Sequence, residues 1–139
     1  MADLYPDVDV GDAVTSMAET EILSFTAAAD IAKGDPVYFT ADLTVSPATS
    51  AQDCIGIALK SAKAGEQVPV CVKGVVKVVA GGAITRGKAV YGADSSRRVL
   101  ALADINEGGT ATHSWTRKLG LALQSFSAAG DTGLIYVCK

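Results

Sequence analysis

The apolar residues of this chain fall in short runs, alternating or nearly continuous, each closed by Gly, Ser, Asp or Pro. That is the pattern of β-strands separated by tight turns. Gln67 to Val72 and Thr132 to Cys138 set valine and isoleucine at alternating positions, the period at which side chains share one face of a strand. Cys54 to Leu59 and Leu119 to Leu123 are near-continuous apolar runs bounded by Gly and Ser, as expected of strands buried on both faces. Val37-Tyr38 and Val90-Tyr91 start strands, Val45 and Val99 to Leu102 supply short ones, and Val75 to Val79 is a β-branched run closed by Gly81-Gly82. About eight to ten short strands are expected, and the helical candidate is Ala13 to Phe25.

An internal repeat organises these strands. Ile31, Gly34, Val37 and Tyr38 match Ile84, Gly87, Val90 and Tyr91 at an offset of 53. Ile55-Gly56-Ile57-Ala58-Leu59 matches Leu119-Gly120-Leu121-Ala122-Leu123 at an offset of 64, and Ala64-Gly65-Glu66 matches Ala129-Gly130-Asp131 at 65. Three blocks in one order read as two copies of one β-unit, residues 31–74 and 84–139, the second enlarged around Gly108 to Arg117. The expected fold is all-β: a small barrel or sandwich built from the duplicated unit, whose closure removes exposed strand edges.

Charge separates the first 30 residues from this body. They hold seven carboxylates (Asp3, Asp7, Asp9, Asp12, Glu19, Glu21, Asp30), no Lys or Arg, and one of the 14 glycines, so they carry -7 of a net -3 and leave +4 on residues 31–139. An extended acidic arm over residues 1–30, ordered against a partner, is the expectation. With 139 residues, 49% of them hydrophobic and 6% aromatic, one β-rich domain is indicated. No apolar run approaches bilayer length, and the first residues lack the basic and apolar regions of a signal peptide. A soluble protein that stays where it is made is expected, with no membrane partner.

Catalytic constellations are missing from the pattern. Cys54, Cys71 and Cys138 are an odd number without C-x-x-C spacing, so neither a disulfide framework nor a zinc site is indicated, and buried, idle thiols are expected. The one histidine, His113, has no ligand or triad partner at useful spacing, and no G-x-S-x-G elbow is present. Gly81-Gly82 and Gly108-Gly109 lack the Gly-Lys-Ser/Thr of a phosphate loop. Arg86, Lys88, Arg97, Arg98, Arg117 and Lys118 are balanced by carboxylates, without interleaved aromatics, at a sequence pI of about 5.0, which argues against nucleic acid. No enzyme activity, cofactor, metal or small-molecule substrate is expected. Val72-Lys73-Gly74 brings to mind the swinging-arm lysine of biotinyl or lipoyl carrier domains, but such a lysine needs acidic or Met neighbours at a hairpin tip, and Val72 and Gly74 do not fit.

The series Gly34-Asp35-Pro36-Val37-Tyr38, Ile55 to Leu59, Ala64 to Val75, Gly87 to Tyr91 and Leu119 to Leu123 resembles the small capsid decoration, or cement, proteins of tailed bacteriophages, over roughly residues 31–139. The resemblance implies a β-barrel-like body on the outer surface of an icosahedral head in the virion, commonly a homotrimer, that binds the major capsid protein and stabilises the shell. Such a protein is made in the host cytoplasm as a late structural component. Many identical weak contacts on a lattice act together. Two contact regions are expected: the arm, with Leu4, Tyr5, Val8 and Val10 as apolar teeth, adding a strand to capsid or neighbour, and the enlarged segment with His113 and Trp115, Trp being enriched at hot spots. Trp115 packed on its own barrel is the competing expectation. Alternatives are another virion component, such as a head fibre or tail protein, and a β-barrel binding or carrier module.

Overall fold

The computed structural model describes residues 6–16, 19–102, 105–107, 110–112 and 117–138. Eleven strands form among them: β1 (Glu21–Ala27), β2 (Pro36–Ala41), β3 (Thr44–Pro47), β4 (Gly56–Ala58), β5 (Gln67–Val79), β6 (Ala89–Gly92), β7 (Val99–Ala101), β8 (Ile105–Glu107), β9 (Thr110–Thr112), β10 (Gly120–Ala122) and β11 (Thr132–Cys138). No helix is present among the described residues. Nine strands make one sheet in the order β1-β3-β2-β4-β5-β11-β10-β6-β7, and β1 pairs again with β5. The first five strands are therefore a closed barrel, and closure leaves no free ladder along that ring. β8 and β9 form a separate two-stranded sheet.

The expected helix at Ala13 to Phe25 is corrected: Glu21–Ala27 is β1, antiparallel to β5 with Phe25 opposite Val68, and Ala13 bridges Val76. Leu23, Phe25 and Ala27 alternate along the strand, and the β-branched Val14, Thr15, Thr20, Ile22 and Thr26 favour extended backbone. Tertiary pairing with β5 decides the outcome. So part of the segment expected as an arm is barrel wall, and another part lies on the body.

Where separate runs at 67–72 and 75–79 were expected, one strand of 13 residues runs through. Its first part pairs with β1 and β4 and its last part with β11. Gly74 is the joint: its φ of 145° suits glycine, and a Cβ there would stand 2.9 Å from Thr15 Oγ1. β5 divides the body into a first lobe, β1 to the start of β5, and a second lobe, from the end of β5 to β11.

The same hydrogen bonds occur in both lobes. Gly34 N–H donates to Ala58 O and Gly87 N–H to Ala122 O; Ile55 N–H donates to Val37 O and Leu119 N–H to Val90 O. Gly65 N–H donates to Ala27 O and Gly130 N–H to Ala80 O. Ile31 bridges Ala62 as Ile84 bridges Phe126, and Ala80 meets Val99 in the parallel sense in which Ala27 meets Val45. The bridge at Ala80 brings β7 back to the end of β5, so the second lobe follows the strand order of the first. These matches begin at Ala27 and Ala80, upstream of the blocks visible in the sequence.

Two apolar clusters fill the lobes. Phe25, Ile31, Val37, Val45, Val68 and Val70 pack inside the first. Val78, Ile84, Val90, Val99, Phe126 and Ile135 fill the second, and this cluster continues into Ile57, Cys54 and Cys71 from the outer face of the first lobe. Small residues let the strands approach: a Cβ on Gly56 would run into Cys71 O, and one on Gly120 into Tyr136 O.

Candidate interaction surface

The described part of the acidic N-terminal segment is seated on β5. Gly11 N–H donates to Lys77 O (2.8 Å), Lys77 N–H to Asp12 O (3.2 Å) and Val14 N–H to Val75 O (2.7 Å). The buried Lys77 extends its ammonium to Val8 O at 2.9 Å, so a cation that would be costly to bury is held by the segment covering it. Asp12 pairs with Lys33 at 2.5 Å. The hydrogen bond from Lys33 holds the Asp12 carboxyl below its ordinary 3.8, and the same bond raises Lys33 above 10.5. Val8 and Val10 are half-buried, and Val10 lies against Gly34. The segment's charge is thus partly answered within the chain.

A second feature joins the lobes. Arg97, at the β6–β7 turn, donates from Nη1 to Asp35 Oδ2 at 2.8 Å, and Asp35 is buried and also accepts from Ala32 N–H. At the same turn, burial pushes the Asp94 carboxyl up, but hydrogen bonds from the Arg98 N–H, the Arg98 guanidinium and the Ser96 N–H outweigh it and leave the group below 3.8. Those donors stand 2.8 to 2.9 Å from the carboxylate, enough to fix the turn.

The third feature is an apolar mouth at one end of the first barrel. Leu23, Phe25 and Ala27 share a face of β1, as Val37 and Phe39 do on β2, and Phe39 packs edge-on against Phe25 with ring centroids 5.1 Å apart. Ile55 and Val72 complete the rim, half-buried against the same cluster. Leu43, at the neighbouring turn, is exposed.

Of the residues expected at contacts, Val8 and Val10 are described and lie together on the body; Leu4, Tyr5, His113 and Trp115 lie outside the described residues. Sequence reasoning missed the mouth: Leu23 lies within β1 and Phe39 within β2, and no local pattern records that packing leaves them uncovered. Cys54 and Cys71 are buried between the lobes and Cys138 is half-buried; burial pushes the Cys71 thiol up, away from the reactive thiolate. Lys73 stands within β5 opposite Glu21 and Cys138, not at the hairpin tip a carrier lysine needs. Among the described residues no group of three His, Cys, Asp or Glu is placed to hold a metal ion.

What remains is a body with apolar and charged surface features, and the comparison with protein families decides their setting. The phage cement protein family model matches residues 17–137. The chain belongs to the phage cement protein family. It is accordingly a capsid decoration protein, located in the virion on the phage head, and the family is one of structural proteins. The match starts near β1, so this cement protein's barrel wall lies inside the family pattern. No curated protein matches the sequence. Among solved structures, the N-terminal base of the head fibre protein gp8.5 of bacteriophage phi29 is similar, with 14% sequence identity, a TM-score of 0.55, and 85% of this chain covered against 93% of that one. At that identity the likeness is one of fold.

Proposed function

We propose that this cement protein binds the outer surface of the head through the major capsid protein and braces the shell, as a homotrimer and without contacting nucleic acid or a small molecule. The family match over residues 17–137 carries the reading. A body built of paired strands around two apolar clusters supports it, because such a body suits a static brace better than chemistry. The proposed contacts are Leu4 and Tyr5, continuing from the seated Val8 and Val10, and the segment with His113 and Trp115. We also read the body as a duplicated unit, supported by hydrogen bonds that recur at the offsets of the sequence blocks.

Copy number in purified particles, measured by mass spectrometry against the major capsid protein, tests the reading. Near-equal amounts are expected, and absence from the particle overturns it. Deleting residues through 20 would also strip the bonds to β5, so Leu4→Asp with Tyr5→Asp is the sharper variant: occupancy on protein-depleted heads should be lost at unchanged melting temperature. For Trp115→Ala, lost occupancy with unchanged stability supports a contact, while lost stability with intact occupancy places the indole on its own body.

The phi29 relative, described as a head fibre base, favours a second reading in which this fold is the foot of a longer projection. Electron microscopy of particles would then show density extending well beyond a body of this size.

A further inference from the structure

We propose that the open mouth of the first lobe is the binding site for the second lobe of another copy of this chain, joined head to tail. The argument is the contact already made inside one chain. In the second lobe the mouth positions are Val76, Gly92, Leu119 and Val137, matched to Leu23, Phe39, Ile55 and Val72 by the recurring hydrogen bonds. All four are buried, beneath the first lobe's outer face together with Ala13, which bridges Val76 and packs on the same cluster. A Cβ added to Gly92 would meet Pro36 at 2.7 Å and Cys54 Sγ at 2.9 Å, and Ile57 and Cys71 join the same cluster.

The first lobe's mouth has no such cover among the described residues. Leu23 is 52% exposed and Phe39 45%, whereas the matching Val76 is 0%. Exposed neighbouring apolar side chains of this size mark an interaction site. The second lobe carries the face that would fill it: Leu121 and Tyr136 match Ile57 and Cys71, and Tyr91 and Leu102 match Tyr38 and Ala48. All four are only half-buried, where the matching Ile57, Cys71 and Ala48 are fully buried.

Size and charge are complementary at this contact. Within the chain, Pro36 presses on Gly92; between copies Ala89 would face Phe39, so the large side chain moves to the other partner and the volume is kept. Within the chain, Arg97 reaches Asp35. Between copies the matching positions hold Leu43 and Lys88, and the exposed Asp42 beside Leu43 supplies the partner for Lys88 with the signs reversed. Lys118 stands where Cys54 does, and its stem can lie along Phe39 with the ammonium in water. Because mouth and face are different surfaces, the contact is heterologous and propagates until it closes on itself.

The test uses the full chain free in solution, so its failure is separate from any failure to bind capsids. Sedimentation velocity should show self-association of the wild type, lost in Leu23→Asp and equally in Leu121→Asp, with melting curves showing each variant folded. Phe39→Ser repeats the mouth test should Leu23→Asp not fold. Mixing the two variants should restore a dimer, since each keeps one intact surface; a two-fold symmetric contact has no such rescue. Lys88→Asp should weaken association on the order of tenfold, and Asp42→Lys in the same chain should restore it. A wild type that stays monomeric at its highest soluble concentration overturns the proposal, as does a Leu23→Asp chain that associates like wild type or a mixture that stays monomeric.

Discussion

Ile57 and Leu121 sit at matching places on β4 and β10, each followed by a small inward alanine and each opposite a residue of a long strand, Cys71 or Tyr136. Ile57 is fully buried, and Leu121 is only half-buried. The same contrast runs through the mouths, where Val76 is covered and Leu23 is open. Local ladder and hydrogen bonds are alike, so what differs is only which surface of the chain lies against another. The lesson is that equivalent sequence positions need not have equivalent energetic weight: apolar area stabilises in proportion to the water it loses, and one lobe's outer face loses it inside the chain.

The strongest way to break this comparison is a pair of truncations. Ile57→Ala should cost about 2 to 5 kcal/mol in urea unfolding, the range for emptying a packed core site. Leu121→Ala, measured at low protein concentration, should cost about 1 to 2 kcal/mol, the transfer term of a half-buried side chain without the cavity, and equal losses would mean that the two faces are equally buried. Gly56→Ala and Gly120→Ala should instead behave alike, each costing roughly 1 to 3 kcal/mol, because in both lobes a methyl group meets a carbonyl of the facing strand. A large difference between them would show that one ladder can relax where the other cannot.

Smaller effects separate the hairpin turns. Arg97→Ala should destabilise by on the order of 1 kcal/mol, a charged hydrogen bond to buried Asp35 discounted because the Arg97 side chain is 37% exposed. Leu43→Ala, at the matching turn, should leave monomer stability within roughly 0.5 kcal/mol. Acid gives the smallest contrast. A carboxyl held below 3.8 in the folded state adds stability above that value and loses it as pH falls through the lowered folded value. Asp94 does this in the second lobe, where the first lobe has Ala41, and Asp12 does it on the N-terminal segment. Asp94→Asn should flatten the acid limb of a melting temperature against pH curve while leaving the neutral plateau lower by the lost ion pair.

Most strands were legible because their signals are local. The alternation in Gln67 to Val72 and in Thr132 to Cys138 appears as β5 and β11, and the Gly-Ile-Ala and Gly-Leu-Ala runs appear as β4 and β10. β1 was missed because β-branched and helix-favouring residues are mixed through Ala13 to Phe25, and only its pairing with β5 resolves the conflict. The continuity of β5 was missed because Lys73-Gly74 reads as a turn locally. The mouth was not legible at all, since exposure of Leu23 or Phe39 depends on what the rest of the chain places over them.

By itself, then, the sequence determined the all-β class, the turns and the order of the apolar blocks, because strand periodicity and glycine conformations are properties of a few neighbouring residues. Only the tertiary structure decided that Lys77 is buried beneath residues 8–14, that β5 serves both lobes, and that one lobe's apolar mouth is covered while the other's faces water. Those are outcomes of long-range packing, in which burial is assigned by surfaces far apart in the chain and no local pattern records the assignment.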